Sequence, residues 1–152
     1  VDGAIIVDLP PEEDAPLRTA LSPHDLSLIR LAAPTTNDER LKTVLEGVSS
    51  FVYYVAIAGV TGAKSATTDD VRAAVARLKR ATGLPIAVGF GVREPEAARA
   101  IALTADAVVV GSAIVDEIAN GASKEAVDRV LHKVKLLSDA VHTAREVEGV
   151  TP

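Results

Sequence analysis

Two glycine turns stand one strand–helix unit apart in the second half of this sequence. Pro85-Ile-Ala-Val-Gly-Phe-Gly91 and Ala107-Val-Val-Val-Gly-Ser-Ala113 are both apolar runs that stop at small residues. Glycine has no Cβ, so the backbone amides around Gly89-Phe90-Gly91 can approach an anion closely. The second run ends at Gly111, and a short helix is expected to start at Ser112. The free N–H groups and positive dipole end of that helix suit a phosphate dianion, and the Ser112 hydroxyl adds a donor. Either turn alone is an ordinary way to end a strand. Their succession favours a phosphate cradle of the kind that (β/α)8 barrels build from the loops after strands seven and eight.

Three other places carry reactive or positioning side chains. The segment Ala58-Gly-Val-Thr-Gly-Ala-Lys-Ser-Ala66 follows an apolar run, is small and polar, and has the glycine hinges of a closing loop. Asp8 ends the first apolar run before Leu9-Pro10. It is read as a base at the mouth of a site, as an acceptor for the Thr61 hydroxyl, or as a plain turn residue. Tyr53 and Tyr54 are consecutive in a strand-like run, so they face opposite ways, one inward and one toward a helix layer. His24, His132 and His142 fall in helical or linking patterns and read as surface residues.

The elements that must position these groups follow from hydrophobic patterning. Five runs read as strands: Ala4 to Leu9, Leu26 to Ala32, Phe51 to Ile57, Ile86 to Gly89 and Ala107 to Val110. None alternates cleanly with polar residues, which predicts burial on both faces. Helices are expected between them. Pro11-Glu-Glu-Asp14 supplies first-turn acids, and Thr35-Thr-Asn-Asp-Glu39 and Thr67-Thr-Asp-Asp70 supply caps. Arg93-Glu-Pro-Glu96 places a proline in a first turn, and the tail from Ser123 reads as one long amphipathic helix ending in a frayed Gly149 to Pro152. Strand–helix units repeated five times predict parallel strands joined by right-handed crossovers. The fold expected is α/β, a partial TIM (β/α)8 barrel of five parallel βα units, with residues 1–152 forming the C-terminal part of a single domain.

Composition removes several classes of function. The 152 residues are 48% hydrophobic and 24% charged, a globular balance, with aromatics only 3%. A net charge of −5 with scattered basic residues argues against a nucleic-acid surface. The absence of cysteine excludes disulfides, thiolate metal sites and cysteine nucleophiles. No metal site is expected, no apolar stretch is long enough to span a membrane, and a cytoplasmic location is expected. A complete barrel takes about 250 residues, so strands one to three are expected to lie outside these 152.

Together the segments Asp2 to Pro10, Leu31 to Thr36, Tyr53-Tyr-Val55 with Gly59-Val-Thr-Gly-Ala63, Pro85 to Gly91, and Gly111-Ser-Ala-Ile-Val115 resemble the tryptophan synthase alpha subunit family, in its order and spacing. The resemblance runs to about Arg145. It implies a carbon–carbon lyase of tryptophan biosynthesis that cleaves indole-3-glycerol phosphate to indole and glyceraldehyde 3-phosphate by a retro-aldol step. It implies no cofactor in this subunit, and a beta subunit that uses pyridoxal phosphate as partner in an alpha2-beta2 heterotetramer. It assigns Gly62, Phe90, Gly91, Gly111 and Ser112 to the substrate phosphate, Thr61 to the closing loop, Tyr53 to the side of the substrate, and Asp8 to the ordering of that loop near the beta-subunit interface. The family's catalytic Glu and Asp come from the second strand and the loop after it, and nothing in this sequence corresponds to them. Ile57 stands where some members carry a polar or basic residue. The chain alone is therefore expected to be inactive. Two alternatives remain at this stage: a non-catalytic phosphate-binding half-barrel that self-associates, and another phosphate-binding barrel enzyme of amino-acid biosynthesis.

Overall fold

The computed structural model describes residues 1–56, 67–89 and 91–146. Five short strands, β1 (Gly3–Ile5), β2 (Ser27–Ala32), β3 (Val52–Val55), β4 (Ile86–Gly89) and β5 (Ala107–Val109), form one sheet in the order of the sequence. Every neighbouring pair is parallel. The helices are α1 (Ala15–Leu21), α2 (Asp38–Leu45), α3 (Thr68–Thr82), α4 (Pro95–Ala102), α5 (Ser112–Ala119) and α6 (Ala126–His142). A strand order that never reverses, with right-handed crossovers, sends every connecting helix to the same face of the sheet. This is the arrangement of a barrel wall; a doubly wound sheet would reverse its order at a switch point.

The packing agrees with that one-sided layering. Val52 and Tyr54 of β3 and Ile86 and Val88 of β4 point to the helix side. There they form one core with Leu41 of α2 and Val71, Val75 and Leu78 of α3. A second cluster joins Val92, Ala98 of α4 and Leu137 of α6.

The expectation that every strand is buried on both faces holds only for β4, where all four residues are buried. In β2 and β3 burial alternates, with Leu28, Arg30, Ala32, Val52 and Tyr54 buried and the residues between them half-exposed. The inner face of a barrel wall is apolar because opposite strands cover it. Five strands leave most of it open, and β1 and β5 are unpaired on their outer edges among the described residues.

Several boundaries also shift, most of all at the first strand and the first helix. The first strand ends at Ile5, and the chain turns over residues 6–9 with the Leu9 N–H donating to the Ile6 carbonyl at 3.3 Å. Pro11–Glu13 is a short 3-10 turn, and Asp14 precedes α1 as a fully buried residue. Asp14 was expected to complement a helix dipole. Instead its carboxylate faces the buried Arg30 guanidinium of β2, with Arg18 Nε at 3.5 Å. A buried carboxylate requires such partners. The frayed end expected over Gly149 to Pro152 lies outside the described residues.

Candidate phosphate site at the carboxyl ends of the strands

The sheet register sets the two glycine turns side by side. Gly89 pairs with Val109, so Gly91 and Gly111 each lie two residues beyond directly paired positions of adjacent strands. Neighbouring strands are about 4.8 Å apart, which makes the two turns immediate neighbours.

Among the described residues there is free space beside the Cα of Gly91 and of Gly111. Gly91 has φ +67°, a left-handed conformation that only glycine adopts without strain. A Cβ on Gly91 or on Gly111 would meet no described atom within 4 Å. Gly89 is a glycine for the opposite reason. A Cβ there would stand 2.7 Å from the Val109 Cβ and carbonyl oxygen and 3.0 Å from the Tyr53 hydroxyl. The strands can come together at this level only because Gly89 has no side chain.

The expected helix begins at Ser112, with Gly111 as its N-cap residue. The Gly111 carbonyl accepts from the N–H groups of Ile114 and Val115, at 2.9 and 3.2 Å. The N–H groups of Ser112 and Ala113 come before any intrahelical partner and face the open end. This local structure supplies anion donors with no cation in the first turn.

Tyr53 and Tyr54 divide as expected. Tyr54 is buried in the helix-side core, while Tyr53 lies on the inner face with its hydroxyl over Gly89. Burial raises both phenols above their ordinary range; for Tyr54, Arg77 opposes that shift and Asp70 adds to it. Tyr53 therefore stays protonated at neutral pH and can donate a hydrogen bond beside the turns. Asp8 lies three residues beyond the end of β1, which is three strands from β4 in the sheet order. It is exposed and lines a cleft of about 380 Å³ with Arg30, Thr36 and Arg40. The structure thus brings Tyr53, Gly91, Gly111 and Ser112 together at one end of the sheet and leaves Asp8 apart from them, in the cleft beyond β1. Thr61, Gly62 and Phe90 lie outside the described residues, as does the rest of the loop 57–66.

An ion pair joins the two turns. Arg93 Nη1 donates to Asp116 Oδ2 at 2.6 Å, linking the loop after β4 to α5. The signal available in the sequence was an opposite charge just beyond each glycine turn. Among the described residues no group of three or more His, Asp or Glu side chains could hold a metal ion. Among them, too, no helix is long and apolar enough to cross a membrane.

Comparison with known proteins points to one family. A family model described as tryptophan synthase alpha chain matches residues 1–144. The tryptophan synthase alpha chain of Caulobacter sp. (strain K31) is 57% identical over 147 residues, covering 95% of this chain and 54% of its own length. That of Erythrobacter litoralis (strain HTCC2594) is 55% identical over 145 residues, covering 95% of this chain and 56% of its own length. A crystal structure of the tryptophan synthase alpha chain from Legionella pneumophila superposes with a TM-score of 0.79 at 31% identity, over 94% of this chain and 53% of that one. A tryptophan synthase complex from Pyrococcus furiosus gives a TM-score of 0.71 at 34% identity, over 91% of this chain and 55% of that one. The chain spans about half the length of the relatives it matches.

Proposed function

This chain belongs to the tryptophan synthase alpha chain family, and from that premise we propose that it carries the phosphate grip and lid loop of a carbon–carbon lyase. The reaction is the retro-aldol cleavage of indole-3-glycerol phosphate to indole and glyceraldehyde 3-phosphate in tryptophan biosynthesis. On this reading residues 1–152 are the C-terminal part of one barrel domain, strands four to eight, working in the cytoplasm. Indole passes to a beta subunit that holds pyridoxal phosphate in an alpha2-beta2 assembly, and this subunit needs no cofactor of its own.

The observation that carries the reading is the register that pairs Gly89 with Val109 and so sets the two turns side by side. Gly91, Gly111 and Ser112 donate N–H groups to one phosphate, joined by Gly62 and Phe90 from the neighbouring loops. A dianion held by backbone dipoles at a helix N-terminus is bound without a paired cation. Tyr53, protonated and next to the turns, lies alongside the glycerol chain. Thr61 belongs to the loop that closes over the substrate, and Asp8 orders that loop from the far side.

Cleavage needs a proton delivered to the indole ring carbon that carries the side chain and a proton taken from the glycerol hydroxyl next to it. As the hydroxyl becomes a carbonyl, the carbon–carbon bond breaks and its electrons return to the indole ring. The family resemblance places the acid and base on the second strand and the loop after it, which have no counterpart in this sequence. The residues here position the substrate and leave proton transfer to that region.

The test is an indole-release assay with indole-3-glycerol phosphate. The 152-residue chain alone is expected to release no indole. Addition of a polypeptide carrying the part of the Caulobacter sp. (strain K31) relative that precedes the matched region is expected to bring release. Turnover by the 152-residue chain on its own would overturn the assignment of the acid and base to another region.

A further inference from the structure

Two ties fix the loop after β4 to α5. Beneath the turn, Val92 is buried in a cluster with Ala98 and Leu137, and Ile114 of α5 packs against the same cluster. Above it, Arg93 Nη1 donates to Asp116 Oδ2 at 2.6 Å. The two tied residues follow the glycine turns closely: Arg93 comes two residues after Gly91, and Asp116 opens the second turn of the helix that starts at Ser112.

We propose that Arg93 is a positioning residue of the phosphate site, holding the turn at Gly91 in fixed offset from the N-terminus of α5 through its ion pair with Asp116. The proposal rests on the phosphate reading given above. Asp116 lies one helical turn, about 6 Å, behind the N–H groups of Ser112 and Ala113. An uncompensated carboxylate there offsets the positive potential that the helix N-terminus presents and repels a dianion, and the Arg93 guanidinium cancels that charge. The same contact spans the two loops that must present their N–H groups to one anion, so it lowers the ordering cost of binding. Both side chains are about half-exposed, at 56% and 47%. An exposed pair adds little to global stability, so the effect belongs in anion affinity.

Inorganic phosphate binding by the 152-residue chain, followed by 31P NMR at low salt with a thermal melt of each protein, tests this. Arg93→Ala is expected to weaken binding about fivefold, the upper range for an exposed pair, with an unchanged melt. Arg93→Lys keeps most of the affinity, and the exchanged pair Arg93→Asp with Asp116→Arg restores it. Affinity in Arg93→Ala equal to that of the unmodified chain overturns the proposal and leaves the phosphate reading standing. So does a loss that the exchanged pair fails to restore while its melt is unchanged. Absence of binding by the unmodified chain removes the phosphate reading and the role of Arg93 with it.

Discussion

At the scale of single residues, three glycines have three different jobs. Gly89 is set by space: a methyl group would strike the Val109 Cβ and carbonyl oxygen at 2.7 Å, and a backbone atom cannot turn aside. Gly91 is set by conformation, with φ +67° and open surroundings. Gly111 is neither crowded nor at positive φ, and its smallness leaves the helix end bare. Gly89→Ala is therefore expected to cost about 2–3 kcal/mol of stability, as overpacking does, seen as a lower midpoint in urea unfolding. Gly91→Ala is expected to cost about 1–2 kcal/mol, and Gly91→Asn less, because asparagine tolerates the left-handed region. Equal losses for the two alanine variants, both relieved by asparagine, would contradict the distinction. The sequence made these residues conspicuous without separating their roles, because the contact at Gly89 comes from a strand twenty residues away. The burial of Asp14 against Arg30 was hidden in the same way, since no local periodicity links the two.

At the scale of elements, caps and cross-links define where the strand ends stand. Thr67 and Asp70 form a reciprocal capping box at the start of α3: the Thr67 side chain accepts from the Asp70 N–H at 3.2 Å, and the Asp70 carboxylate accepts from the Thr67 N–H at 3.0 Å. The cap fixes the first turn of α3. Arg77 of α3 reaches back to the Thr36 carbonyl at 2.6 Å and to Asp38 at 2.8 Å, tying α3 to the start of α2 and the residues just before it. At the opposite, amino end of the sheet, Asp106 accepts from the Ile86 N–H at 2.9 Å and from Lys79 Nζ at 2.8 Å. Burial pushes its carboxyl up, but these hydrogen bonds and the charges of Lys79 and Arg145 outweigh it and hold it below the usual carboxylate range. A lowered folded-state pKa stabilises the fold above the ordinary carboxylate range, and that contribution is lost as pH falls through the lowered value. Asp106→Asn is thus expected to cost about 1 kcal/mol at pH 7 and progressively less below about pH 4, by denaturant unfolding across pH. A cost that stays constant to pH 2 would contradict the linkage. Caps and first-turn prolines were legible because they are local; the Asp106 bridge joins α3, β4 and the start of β5, and only the fold brings these together.

At the scale of the whole molecule, the order of elements was readable because every βα unit carries its own periodicity and punctuation. Exposure was not readable. A barrel wall is apolar on both faces whether or not the opposite strands are present, so Tyr53 and Val55 look buried in sequence and are half-exposed in the structure. The same openness shows in Ile5, Ile6 and Val7 beside the β1 edge and in Val127, Leu131 and Val134 along α6, all exposed. Such edges and stripes are surfaces that further strands and helices cover in a closed barrel. The proposed site does not depend on barrel closure; it needs the two adjacent turns to bind one anion. The most direct measurement is a titration of the 15N-labelled 152-residue chain with glycerol 3-phosphate, followed by amide chemical shifts. The account predicts that the Gly91, Gly111 and Ser112 amides move together along one saturating curve with a single Kd, while amides at the amino ends of the strands stay still. Shifts at only one of the two turns, separate affinities for each, or no saturation at either would contradict it.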